Sequence, residues 1–343
     1  MTSKERVYGA INRTPIDHVP QYIWLGPTVA KHIAEKEGIP LNEVDTFIGN
    51  DVVQTWISIN TSMEYPLADG ETFTDEWGIT WLRDGIYNTP VKHPFAGMGV
   101  DEIKAHPFPD PKAPERFAVL DGLIEKYGKT HFIGADISSS IIEPAYHLRG
   151  MVQILMDLII DEDIACAILD KMSDFTMAVA EEALNRDVDW IWLGDDIGSQ
   201  QGMILSPEVW RKYIKPRMKR IIDRVQEIRP GTIIAYHSCG TIRQIIGDLV
   251  EIGVNVLNPV QESAVDMNQA EIKAEYGHAL TFMCGLDTQQ FLVDATPEEV
   301  RAKMEETIAK LSAGGGGYIH AVSHTIQPDV PIENIYALLR GIK

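Results

Sequence analysis

Apolar and polar positions along the chain alternate between two rhythms. Apolar runs of four to eight residues, most ending in a polar tip, cover residues 21–25, 51–58, 131–136, 190–196, 232–239, 254–260, 281–284 and 317–322. Between them lie longer stretches in which apolar residues recur every three or four positions. These include residues 4–12, 27–37, 145–160, 164–184, 242–252, 267–276 and 297–311, a long one opening at Ser206 and a last one near Pro331. The short runs predict buried strands and the longer recurrence predicts amphipathic helices. Ser206 is placed to cap its helix, with Pro207 in the first turn. Strands that are apolar on both faces and separated by helices belong to a parallel sheet with helices over it. Eight such units predict one α/β domain over residues 1–343, a single (β/α)8 TIM barrel with a short N-terminal extension.

Two stretches depart from the rhythm. Residues 62–84 carry Tyr65-Pro, Asp69-Gly, Trp77-Gly and Trp81 in alternating polarity, which predicts an inserted β-hairpin. Trp77 and Trp81 are expected to pack that hairpin. Residues 93–114 are rich in proline and predict an irregular surface connection. No Gly-x-Gly-x-x-Gly opens a helix, which argues against a dinucleotide fold. The glycine run Gly314 to Gly317 precedes a strand and predicts a flexible turn.

Charge and cysteine content narrow the function. A formal net charge of −20 leaves no basic stripe for a nucleic-acid backbone and agrees with solubility. Three cysteines are too few for a disulfide framework, and Cys166 lies in an apolar helical context as a small core residue. No apolar run approaches the ~20 residues that cross a bilayer, and the N-terminus lacks the apolar core of a signal peptide. A cytoplasmic protein is expected.

In such a barrel the site forms at the C-terminal ends of the strands. The tips carry His237 and Cys239, two residues apart and so on one face of their strand, and Cys284 ends a strand two positions round the ring. An imidazole and two thiolates form a typical zinc set with a fourth position open to water, Asp196, Glu262 or His324. Asp195 and Asp196 are placed to position a substrate or a metal-bound water. Asp136 and Glu143 are placed to line the pocket, and Gln200, Gln201 and Gln261 to hydrogen-bond a neutral polar substrate.

Several motifs together resemble the uroporphyrinogen decarboxylase superfamily. They are Thr14-Pro-Ile-Asp-His-Val-Pro20, Asp75-Glu-Trp-Gly78, Leu205-Ser-Pro-Glu-Val-Trp210, His237-Ser-Cys-Gly240 and Ser323-His-Thr-Ile-Gln-Pro-Asp-Val-Pro331. The resemblance covers nearly the whole chain and implies a catalytic role for His324, which falls where the decarboxylases carry their active-site histidine. The decarboxylase branch carries an arginine-rich motif near the N-terminus, whereas this chain has no arginine from Thr14 through Leu82. The other branch contains zinc methyltransferases that work with methylated corrinoid proteins and carry His-x-Cys, a long gap, then Cys-Gly. Here Cys284-Gly285 follows Cys239 after 44 intervening residues, a shorter gap than in the coenzyme M enzymes. The resemblance therefore implies zinc, methylcobalamin presented by a corrinoid protein, a small-molecule methyl donor or acceptor, and His324 and Asp196 as catalytic groups. A metal-independent decarboxylase or lyase and a non-catalytic binding protein are the alternatives, and a homodimer is compatible with each.

Overall fold

Apolar strands need partners for their backbone amides on both sides, and most of the runs found them in one parallel ladder. The computed structural model describes residues 1–59, 62, 65–85 and 87–339. In chain order its strands are β1 (Val52–Trp56), β2 (Thr72–Thr74), β3 (Thr80–Asp84), β4 (Tyr87–Lys92), β5 (Phe132–Asp136), β6 (Trp190–Gly194), β7 (Ile233–His237), β8 (Val256–Asn258), β9 (Thr281–Leu286) and β10 (Tyr318–Val322). Seven of them form a parallel sheet in the order β1-β5-β6-β7-β8-β9-β10.

The predicted first strand, residues 21–25, occupies the gap between β10 and β1 without becoming a regular strand. It makes isolated parallel bridges, Gln21 to His320 and Leu25 to Ile326. On its other side, one backbone rung, from Asp51 N–H to the Gln21 carbonyl at 2.8 Å, is supplemented by side chains. Ile23 N–H donates to Asn50 Oδ1 at 2.7 Å, Asn50 Nδ2 donates to the Ile23 carbonyl at 2.9 Å, and Gln21 N–H donates to Asp51 Oδ2 at 2.8 Å. The ring is closed, in part by carboxamide and carboxylate.

Alternation along each strand sorts the core into two layers. Val52, Phe132, Trp190, Trp192, Ala235, Val256, Met283 and Ile319 fill the barrel interior, joined by Val7, Ala10 and Ile11 from the helix Ser3–Asn12, which plugs the N-terminal end. Alternate residues such as Ile133, Leu193, Tyr236, Phe282 and Cys284 join the layer beneath the outer helices. Arg6 fastens the plug, reaching Asp51 and, at 2.7 Å, Asp17 of the Thr14-Pro-Ile-Asp motif. Ser206 caps its helix as expected, accepting from Val209 N–H at 3.3 Å. The expected helix over 145–160 is two, Ile142–Arg149 and Met151–Ile160, interrupted at Gly150. Among the described residues no helix is long and apolar enough to cross a membrane.

The insertion is larger than the hairpin expected over 62–84. It is a three-stranded antiparallel sheet, β2-β3-β4, that runs on to Lys92. Asp75 pins its first turn by accepting from the N–H groups of Trp77 and Ile79 and from Trp81 Nε1, the last at 2.7 Å. Residues 93–114 are not merely irregular. They contain the helix Val100–Ala105, and Phe95 and Ile103 are buried in the core. Trp77 and Trp81 are packing residues, Trp77 against Phe108 and Phe175 and Trp81 against His147.

His147 gives this junction a pH dependence. Its ring is buried against Trp81, and burial, aided by nearby His93, lowers its pKa from 6.5 to about 4. Between those values the unfolded chain binds the proton and the folded chain does not, so this residue's contribution falls as pH drops from 6.5 towards 4. Complete protonation of the unfolded form alone would cost roughly 3 kcal/mol. Denaturant melts of the wild type and His147→Gln are expected to show a steeper loss of stability from pH 7 to pH 5 in the wild type. Equal slopes would remove His147 from the account.

Candidate metal centre at the barrel mouth

β7 brings the first two groups together. Its inward positions are Ile233, Ala235 and His237, and Cys239 follows two residues on in the loop. His237 Nε2 lies 3.5 Å from Cys239 Sγ and 3.5 Å from Asp196 Oδ1, the latter just beyond the end of β6. The three ligand atoms all lie within 4.8 Å of one another, as a metal site requires. Asp196 Oδ1 also accepts from Cys239 N–H at 2.8 Å, so the two loops hold each other. Gly240 permits this approach. Its φ is +73°, and a Cβ there would fall 2.5–2.6 Å from Gly198 and Ser199 backbone atoms.

The imidazole is fixed from behind. Asn258 Nδ2 donates to the Met283 carbonyl at 2.8 Å, which turns its Oδ1 towards His237 Nδ1 at 2.7 Å. That oxygen can only accept, so Nδ1 carries the proton and the Nε2 lone pair faces Cys239 and Asp196. Trp192 stacks on the ring at 6.2 Å and Trp24 meets it edge-on at 6.0 Å. Burial and the adjacent Asp196 carboxylate push the Cys239 thiol well up. A cation would reverse that balance, since a coordinating sulfur is deprotonated. The donor set of one nitrogen, one sulfur and one oxygen suits zinc.

A cavity of 160 Å³ opens over these groups, with Trp24, Trp56, Glu143, Asp196, His237 and His324 in its walls. Glu143 is one of the residues in its wall. Burial, followed by the charges of Asp196 and Asp195, holds its carboxyl well above the usual range. His324 stands across the opening with its ring 6.4 Å from that of His237. Desolvation by the rim, followed by repulsion from His237, lowers its pKa.

Other expected site residues have different positions. Cys284 does not reach the cluster. On β9, Met283 faces the barrel interior and Cys284 joins the outer layer, where burial pushes its thiol up to about 12. Asp195 is not in the cavity wall. It is buried and accepts from Ile141 N–H at 3.0 Å and Glu143 N–H at 3.1 Å, capping the helix Ile142–Arg149. Gln261 is also buried, and its Oε1 accepts from Gly240 N–H at 2.8 Å, bracing the metal loop. Gln200 uses its backbone carbonyl, which accepts from Val265 N–H at 3.0 Å, and its side chain is not in the cavity wall. Asp136 accepts from Ser138 and Gln54 and opens on an adjoining hollow with Tyr22 and Trp56; burial raises it to about 7. Two residues missing from the expected site, Asn258 and Trp24, shape the imidazole's surroundings. Asn258 had a visible signal, a carboxamide at a strand tip beside the histidine strand, whereas Trp24 looked like one more apolar position.

The adjacent aspartates should separate experimentally. Asp195→Ala strands two helix-capping N–H groups and is expected to cost about 2–4 kcal/mol of stability in denaturant melts. Asp196→Ala is expected to cost under about 1 kcal/mol while weakening metal binding. The reverse order of stabilities would contradict the assignment.

Relatives of the chain share its length. It is 25% identical over 338 residues to the methylcobamide:CoM methyltransferase MtbA of Methanosarcina acetivorans, with 92% of each chain covered. It is 26% identical over 334 residues to MtbA of Methanosarcina mazei, covering 92% of this chain and 90% of that one. A uroporphyrinogen decarboxylase of Gloeobacter violaceus is 27% identical over 186 residues, 53% of this chain and 49% of that one. Among solved structures, a methyltransferase from Methanosarcina mazei has the same fold, with a TM-score of 0.72 at 18% identity, over 98% of this chain and 97% of that one. The uroporphyrinogen decarboxylase (URO-D) family model matches residues 88–343, well over half of the sequence, and the chain belongs to that family.

Proposed function

We propose that this protein is a methyltransferase that moves a methyl group between a corrinoid carried by a partner protein and a thiol or methoxylated small molecule, with zinc at the mouth. The observation that carries the reading is the convergence of Asp196, His237 and Cys239 on one point. Similarity to MtbA over nearly the full length supports it. Zinc, when bound, supplies Lewis acidity that lowers the pKa of a thiol or polarises an ether oxygen, and the corrinoid supplies the cobalt–methyl bond.

The chain's own residues provide the setting. His237 presents a lone pair because Asn258 holds the other ring nitrogen. Trp24 and Trp56 wall the cavity with apolar surface that keeps water from the reacting atoms. His324 faces His237 across the opening, placed to take the proton of an incoming thiol or return one to a departing oxygen. A polycarboxylate substrate has less to bind to, since no Lys or Arg lines this cavity among the described residues. That favours methyl transfer over decarboxylation.

Metal analysis is expected to find one zinc per chain, lost in Cys239→Ser and Asp196→Ala and retained in Cys284→Ser. Asn258→Ala is expected to weaken zinc by about 10–100-fold through loss of its hold on the imidazole. Stoichiometric zinc in Cys239→Ser would place the metal elsewhere. The activity is read from the spectral change of methylcobalamin to cob(I)alamin with candidate thiols, and in reverse with methoxylated aromatics. Zinc-replete protein that fails with both, supplied with a corrinoid protein, would sink the methyltransferase reading.

A further inference from the structure

The opposite end of the barrel carries a second cavity with the opposite charge. A cleft of 500 Å³ lies at the N-terminal face, with Arg13, Lys273, His278, Lys310, Gly314 and Gly316 among its lining residues and no carboxylate among them. The chain has 50 acidic residues against 30 Lys and Arg, so cations gathered without acids need a reason. Among the described residues, neither Arg13, Lys273 nor Lys310 forms an ion pair, whereas many of the chain's other basic side chains do.

The cleft is built rather than incidental. Arg13 Nη2 donates to the carbonyls of Gly277 at 2.7 Å and Leu280 at 2.9 Å. Lys273 Nζ donates to the carbonyls of Gly316 at 3.1 Å and Gly317 at 3.0 Å. Backbone carbonyls rather than carboxylates hold these two cations. Burial, followed by repulsion from Arg13, lowers the Lys273 pKa. The glycine run fits closely against the pair. A Cβ on Gly316 would stand 2.8 Å from Arg13 Cα, and one on Gly317 would stand 3.3 Å from Lys273 Nζ. Both residues have positive φ, 106° and 67°. Cationic side chains beside a glycine loop in positive-φ conformation match a tetrahedral oxyanion, which accepts at several oxygens at once.

We propose that this cleft is a binding site for a small phosphate-bearing molecule, separate from the mouth. Its volume admits a ligand larger than inorganic phosphate. The site shares no residue with the metal cluster, so it stands whatever the mouth does.

Calorimetric titration of the full-length protein with inorganic pyrophosphate, inorganic phosphate and citrate tests the proposal. Pyrophosphate is expected to bind, more weakly as salt is added, and more tightly than citrate. Lys310→Glu, on the exposed face of a helix, is expected to weaken pyrophosphate binding about tenfold or more without altering the fold. Arg13→Gln is expected to weaken it as well, with circular dichroism checking that the barrel survives. His237→Ala is expected to leave it unchanged. Three results would overturn the site: no pyrophosphate binding at low ionic strength, equal binding in Lys310→Glu, or loss of binding in His237→Ala. Citrate binding in preference to pyrophosphate would overturn the phosphate assignment.

Discussion

The side-chain amide of Asn258 reaches from the imidazole of His237 on β7 to the carbonyl of Met283 on β9. One group therefore spans three neighbouring strands and sets the tautomer on which the mouth depends. An amide has one donating and one accepting end, so anchoring the donor on a backbone carbonyl leaves no freedom at the other. The orientation of His237 follows from the ladder itself. Trp192 and Trp24 complete the constraint by leaving the ring no room to swing.

Most strand positions were legible because each run is apolar and bounded by turn residues. His237 and Cys239 were legible as a pair because residues two apart share a face. Cys284 was not, because β9 is buried along its whole length and no polar alternation shows which parity faces inward. A one-residue change of phase separates a ligand from a core thiol. Asp195 and Asp196 posed a similar problem. Adjacent carboxylates look alike in sequence, and only the helix start at Ile142 shows which one its N–H groups claim. The third strand of the insertion was obscured by Pro90, which an edge strand tolerates and a central one does not.

The two cavities differ in the ionisable groups around them. Asp136, Glu143, Asp195 and Asp196 sit around the C-terminal tips, and burial raises the pKa of the first three. Arg13, Lys273 and Lys310 line the cleft at the N-terminal end.

The seam at residues 21–25 has a mechanical consequence. Where its neighbours are regular strands, this segment is held by isolated bridges, by single backbone bonds such as that from Asp51 N–H to the Gln21 carbonyl, and by the side chains of Asn50 and Asp51. Local opening costs least where backbone pairing is sparsest. Trp24 lies on that segment, against His237. The joint with the least regular pairing is thus also one wall of the cavity over His237.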